Sequence, residues 1–212
     1  MYDQLDLLKA GVNQSYISYQ KGIDYSYNAS LLVNDTKSGT KFLSSLLEEL
    51  DSCDEYWIFV AFVTTGGIAA IINKLQELDK RNIKGRILGS QYLNFSQPEA
   101  LRRLLQFENI DLKIAVNGSF HSKGYMFRHG EINNIIIGSS NLTQSALATN
   151  KEWNLKISST QRGLINTQII SEFNKEFDEA VTVTEAFIEA YSLQWNQARK
   201  VLSNMNAIDS AS

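Results

Sequence analysis

Between Ser38 and Ser52, apolar side chains recur at Phe42, Leu43, Leu46, Leu47 and Leu50, the spacing of a helix with one buried face. The next pattern is of another kind. Tyr56-Trp-Ile-Phe-Val-Ala-Phe-Val63 is apolar without a break and rich in β-formers, which predicts a central strand covered on both faces. Thr64-Thr-Gly-Gly67 then turns into a second helix carrying Ile68, Ile71, Ile72, Leu75 and Leu78, and Lys84 to Leu88 reads as a strand. Ser96-Gln-Pro-Glu99 has the form of a capping box with Pro98 in the first turn, so a helix with Leu101, Leu104 and Leu105 starts there. Leu112 to Val116 is a further strand. Strands and helices alternating at these lengths predict one α/β domain built on a mixed, largely parallel sheet with helices on both faces.

The alternation then breaks. His121 to Phe127 and Asn134 to Gly138 are β-like stretches separated by a polar Arg128-His-Gly-Glu131 turn, so a hairpin is expected. Helices follow over Thr143 to Ala148, Gly163 to Ala180 and Thr184 to Leu202, with Glu152 to Ile157 as a strand among them. In the last helix Phe187, Tyr191, Trp195, Ala198 and Leu202 form a stripe, read as core packing, with a dimer face as the alternative. The expected organisation is an N-terminal extension (1–37) packing on a domain that carries the chemistry (38–182), then a C-terminal helix (183–212) that could lead to a domain beyond this chain.

Composition narrows the picture. At 212 residues and 43% apolar content, the chain is long enough for one substantial core. Its start lacks a basic, apolar secretory signal, and no run approaches the length of a membrane span, so a cytoplasmic protein without a membrane partner is expected. The single cysteine, Cys53, cannot form an internal disulfide and is read as inert. A net charge of -3 argues against indiscriminate coating of nucleic acid. The charge is uneven, however. Lys80 to Arg128 holds nine basic and three acidic residues, +6 in all, which leaves -9 for the remainder. Solvated helix faces are the plain reading and a basic track beside a phosphate site the sharper one.

Candidate chemistry sits in one stretch. If His121 and Lys123 occupy alternate positions of a strand, their imidazole and ammonium project from one face toward one small anion. Fifteen residues after Lys123 comes Gly138-Ser139-Ser140-Asn141, a turn at the end of an apolar strand that supplies further donors, and eleven after Asn141 stands Glu152. The structural alternative is an ordinary strand followed by a tight turn and a helix cap.

His121-Ser-Lys123, the Gly138-Ser-Ser-Asn141 turn and Glu152, in that order, resemble the half-site of the phospholipase D superfamily. With Phe-Val-Ala-Phe-Val-Thr and GSSNLTQSAL, roughly residues 40 to 180 are similar to the phospholipase-D-like nuclease domains of restriction endonucleases, especially those joined to superfamily II helicases in bacteria. Many members carry Asp five residues after the lysine; here that position is Arg128, a departure shared with the restriction-type branch.

The resemblance implies a metal-independent, cofactor-free phosphodiesterase acting on DNA. His121 would attack phosphorus and form a phosphohistidine. Lys123, Asn141 and Ser139 would hold the non-bridging oxygens, and Glu152 would orient an imidazole. Ser140, Thr143, Thr64, Thr65 and Arg128 are candidate substrate contacts. The reaction needs two imidazoles, one neutral and one protonated, both accessible around an ordinary pKa of about 6.5. His129 lacks a lysine two residues on and is placed on the surface of the hairpin turn. A homodimer with one composite site would supply the second imidazole. No nucleotide-binding loop is present, so a helicase would lie beyond residue 212. The alternatives are a DNA-gripping module without turnover and, with less support, a lipid phosphodiesterase.

Overall fold

The computed structural model describes residues 3–17, 26–35, 37–91, 94–116 and 120–209, with side chains as far as Val201. Helix α1 (Gln4–Val12), continued by a π-helical turn at Asn13–Ile17, precedes strand β1 (Ser30–Val33) and helix α2 (Phe42–Ser52). Two βαβ units follow: β2 (Glu55–Val60), α3 (Thr65–Lys80), β3 (Lys84–Ser90), α4 (Pro98–Leu104) and β4 (Ile110–Ala115). The chain then forms β5 (Lys123–His129), β6 (Ile132–Gly138), α5 (Gln144–Ala148), β7 (Trp153–Thr160), α6 (Leu164–Glu179), β8 (Val181–Thr182) and α7 (Glu185–Asp209).

The eight strands of the described residues form one sheet in the order β1-β7-β6-β5-β2-β3-β4-β8. Only β2–β3 and β3–β4 are parallel; the other five pairings are antiparallel. The mixed α/β fold is as expected, but the sheet is not largely parallel. Helical crossovers occur only while α3 and α4 carry the chain between strands, and the later strands run antiparallel to their neighbours.

The core lies on both faces. Tyr56, Ile58 and Val60 of β2 pack in a cluster with Phe42, Leu46 and Leu50 of α2, Ile68, Ile71 and Leu75 of α3, and Ile188 and Tyr191 of α7. Trp57 and Phe59 point the other way, toward Phe173 and Phe177 of α6. This two-sided burial is the reason β2 reads as an unbroken apolar run. Tyr191 is buried, while Phe187 and Trp195 pack against the same core, so that much of the α7 stripe is core. The side chain of Leu202 lies outside the described residues. Cys53 is fully buried, and burial pushes its thiol up to about 12, as an inert cysteine requires.

Several local expectations are corrected. α2 starts at Phe42 rather than Ser38, because Asp35 and Thr40 form a bridge and the Ser38 hydroxyl donates to Asp35 Oδ2 at 2.9 Å. Ser96 makes no capping box; its hydroxyl donates to the Ser90 carbonyl (2.7 Å) and accepts from Val63 N (3.3 Å), tying the ends of β2 and β3 together. The hairpin loop is only Gly130-Glu131. His129 pairs with Ile132, and Gly130 takes φ 61, which a residue without Cβ adopts at little cost. Arg128 and His129 therefore belong to β5, which begins at Lys123, so His121 precedes the strand rather than lying on it.

Candidate functional site

The parallel strands β2 and β3 end beside the start of β5 and the end of β6, at the carboxyl edge where open α/β sheets gather ligand groups. The turn after β6 is stitched to the segment after β2. Leu142 N donates to the Phe62 carbonyl (3.1 Å), Thr64 N to the Leu142 carbonyl (3.1 Å), and Phe62 N to Asn141 Oδ1 (3.0 Å). A Cβ at Gly67 would collide with the Leu142 carbonyl, so glycine lets the first turn of α3 lie against this turn.

His121 and Lys123 meet at this edge. Lys123 Nζ stands 2.7 Å from His121 Nδ1, 3.3 Å from its Nε2, and 2.7 Å from its carbonyl oxygen. The ring also packs edge-on against Phe62, with centroids 5.8 Å apart. Desolvation lowers the pKa of Lys123 below the ordinary lysine value, and the Glu152 charge opposes that shift. The Ser139 hydroxyl donates to Glu152 Oε2, while Ser139 N donates to the Trp153 carbonyl at 3.1 Å.

A cavity of about 720 Å³ opens here. His121, Lys123, Ser139 and Asn141 line it, together with Phe59, Phe120, Ile137 and Phe173, and α6 adds Glu172 and Glu176. Phe59 reaches the cavity because a Cβ at Gly124 would collide with its ring; glycine beside Lys123 lets the ring lie across β5.

Five residues singled out in the sequence are placed elsewhere. Ser140 is buried, taking a hydrogen bond from Asn154 Nδ2 (2.9 Å) and giving its N–H to Asn154 Oδ1 (3.2 Å). Thr64 and Thr143 cap α3 and α5 by accepting from Gly67 N and Ala146 N. Thr65 binds Gln97 Oε1 at 2.8 Å. Arg128 lies at the opposite end of β5, paired with Glu55 at 2.7 Å. His129 is half-buried rather than free on the surface: Nε2 is 2.8 Å from Glu49 Oε2, a buried carboxylate that also binds Lys156 Nζ at 2.6 Å and Asn134 Nδ2 at 3.0 Å.

The basic stretch builds no track around the cavity. Among its nine cations only Lys123 lines the cavity, while Arg81, Arg102, Arg103, Lys113 and Arg128 are tied to carboxylates or carbonyls elsewhere. Sequence reasoning missed the positioning role of Asn154 and the acidic wall of Glu172 and Glu176. An Asn at an inward strand position signals a buried hydrogen-bonding task, but its partner cannot be read from sequence.

The family described as "Cardiolipin synthase, PLD-like domain" matches residues 46–181, well over half of the chain. The chain belongs to the phospholipase D superfamily. Membership places it among phosphodiesterase-type enzymes. Solved structures share this phospholipase-D-like fold. Nuc from Salmonella typhimurium is 17% identical, with 74% of this chain and 99% of that one aligned at a TM-score of 0.58. NucT from Helicobacter pylori is 19% identical over the same shares, at 0.57. The phosphatidylserine synthase of Haemophilus influenzae Rd KW20 aligns with 93% of this chain and 50% of its own, at 14% identity and a TM-score of 0.66. No curated protein matches the sequence. Among the described residues of this phospholipase-D-like protein, no helix is long and apolar enough to cross a membrane.

Proposed function

We propose that the protein is a phosphodiesterase that cleaves DNA through a phosphohistidine, using one site assembled from two copies of the chain. The observation that carries the reading is His121 and Lys123 held 2.7 Å apart at the mouth of a cavity that Ser139 and Asn141 also line. A phosphoryl oxygen is a charged acceptor and competes well with a neutral imidazole for the Lys123 ammonium. Substrate binding would therefore draw Lys123 onto the phosphate and release the ring. A His121 nitrogen would then form the N–P bond as the bond from phosphorus to the leaving oxygen breaks. The leaving oxygen would take its proton from the second copy's His121, which would next remove a proton from the water that breaks the N–P bond. Ser139, fixed by Glu152, and Asn141 would offer donors to the charge developing on phosphorus.

The placement of the histidines supports a second copy. Of the chain's two histidines, His129 is engaged with buried Glu49 at the far end of β5. Imidazole chemistry of this kind calls for no metal or cofactor. The resemblance of GSSNLTQSAL to restriction-type nucleases supports DNA as substrate and a place within a restriction or helicase protein. In that arrangement residues 38–182 carry the chemistry, 1–37 pack on them, and 183–212 lead toward a further, cytoplasmic domain.

One observation favours a second reading, grip without turnover. Arg128 stands where many members of the superfamily carry Asp, and it is paired with Glu55 at the far end of β5, so that position brings no carboxylate to the half-site. Incubating the purified chain with plasmid, single-stranded DNA and a generic phosphodiester in excess chelator separates the two. Cleavage that His121→Ala abolishes is the expected result. Tight binding without cleavage would replace the enzyme reading with the binding one, and cleavage untouched by His121→Ala would overturn both.

A further inference from the structure

Helix α6 covers one face of the sheet incompletely. Ile135 and Ile157 pack beneath it, but the same face of β6, β7 and β1 continues upward to apolar side chains that stand exposed, with no cover among the described residues. Strand register sets the pattern there. Ile137 pairs with Leu155 and Leu155 with Leu31, one row across three strands, and Trp153 pairs with Val33 in the next row. Since residues two apart on a strand share a face, all five side chains stand on the α6 side. Ile137 is 44% exposed, Leu155 48%, Leu31 52% and Trp153 63%. Such a contiguous apolar area on an open sheet face marks a contact surface.

We infer that this face is where a second copy of the chain docks. The inference rests on the composite-site reading above. Three observations select this occupant. The patch starts where the half-site ends: Trp153 follows Glu152, and its N–H donates to Ser139 Oγ at 3.1 Å. A suitably placed two-fold axis through the patch would set the two His121 side chains on either side of one cleft. The rows contain no charged residue, so the face is compatible with itself, as an isologous contact must be. Ile137 belongs to both the patch and the cavity, so docking would also close one wall of the cavity.

Trp153 would form the anchor of the contact, and Leu31, Leu155 and Ile137 the apolar centre around it. The α7 surface at Leu193 and the α6 start at Leu164 are at least as exposed but lie away from the half-site, which makes them controls rather than rivals of equal standing.

The test compares wild type with Trp153→Arg, Leu193→Glu and Leu164→Glu by sedimentation over a concentration series, with thermal melts to confirm folding. Trp153→Arg is expected to weaken self-association at least about 30-fold, as loss of a central tryptophan does, and to remove cleavage with it. The two controls should behave as wild type. Should Trp153→Arg fail to fold, Leu155→Cys with a bismaleimide gives the same answer, because buried Cys53 leaves little background. Cross-linked dimers through position 155, and none through a Leu193→Cys control, are expected. Dimers that survive Trp153→Arg, or cross-link only through 193, would overturn this surface while leaving the composite site standing. A strictly monomeric, active wild type would overturn both. Dimers formed through this face without cleavage would sink the enzymatic reading alone.

Discussion

At one end of β5 stand His121 and Lys123; at the other, about 17 Å away at the usual strand rise, stand Arg128 and His129. Both ends pair an imidazole with a strong cation, yet their surroundings differ. Arg128 lies 2.7 Å from Glu55, and His129 2.8 Å from a Glu49 that also holds Lys156. Burial alone would raise the pKa of Glu49; the His129 hydrogen bond, the Lys156 charge and the Asn134 hydrogen bond outweigh it and hold the carboxyl down at about 2. At the other end Lys123 has no carboxylate oxygen within 4.0 Å among the described residues and turns to the His121 ring. Glu49 ties α2 to β5, β6 and β7 through His129, Asn134 and Lys156, whereas a cation kept from its counter-ion is available to an incoming phosphate.

The contrast breaks most readily at His121. His121→Ala should lower cleavage by at least about 10⁴-fold, as removal of a nucleophile does. Its melting temperature should stay near that of wild type, because the side chain is exposed. Chevron or melting analysis showing a large stability loss instead would merge the two ends into one structural role.

Glu49→Ala should do the reverse. It leaves Lys156 without its carboxylate and His129 and Asn134 without their acceptor, and should cost about 3–5 kcal/mol in denaturant unfolding. Any folded fraction should still bind DNA. In the wild type, a carboxyl lowered from 4.5 to about 2 contributes stability that is complete above its unfolded value and is lost as pH falls toward 2. That contribution is on the order of 3 kcal/mol. Acid titration of the melting temperature should therefore show a steep fall below about pH 4.5, and Glu49→Gln should flatten it.

Lys123→Ala is expected to reduce kcat/KM by about 10²-fold, the usual cost of one charge-stabilising donor. Because desolvation lowers the Lys123 pKa, wild-type phosphate affinity should decline on the alkaline side before an ordinary lysine would lose its proton. Lys123→Arg, whose charge persists, should remove that decline. The smallest effect belongs to Arg128→Ala. It breaks a partly exposed ion pair worth about 0–1 kcal/mol and should leave cleavage unchanged. A marked loss of cleavage there would return Arg128 to the list of substrate contacts.

The helices and strands were largely legible because each carries its own period: α2 and α3 repeat their leucines and isoleucines at helical spacing, and β2 is apolar throughout. Errors gathered where one residue could serve two local structures. Ser96 could cap a helix or bridge two strand ends, and only the arrival of Ser90 and Val63 within hydrogen-bonding distance selects the second. Arg128 and His129 looked like turn residues because they are polar, but their carboxylate partners come from Glu55 and Glu49, distant in sequence from the hairpin. Lys123, Ser139 and Asn141, which order along the chain singles out, line one cavity. Ser140, beside them in the same turn, faces inward to Asn154, a distinction that sequence order does not carry.

From residues alone came the element types, the two-sided burial of β2, and the ordered set of His121, Lys123, Ser139, Asn141 and Glu152. These depend on periodicity and on neighbours a few positions apart, which short-range sterics and side-chain chemistry specify. Tertiary structure decided the predominance of antiparallel pairing, which cations are neutralised, and which apolar face of the sheet stays bare. Each of those depends on groups far apart in the chain coming within a few ångströms, where both Coulomb attraction and packing act, and no local pattern encodes that meeting.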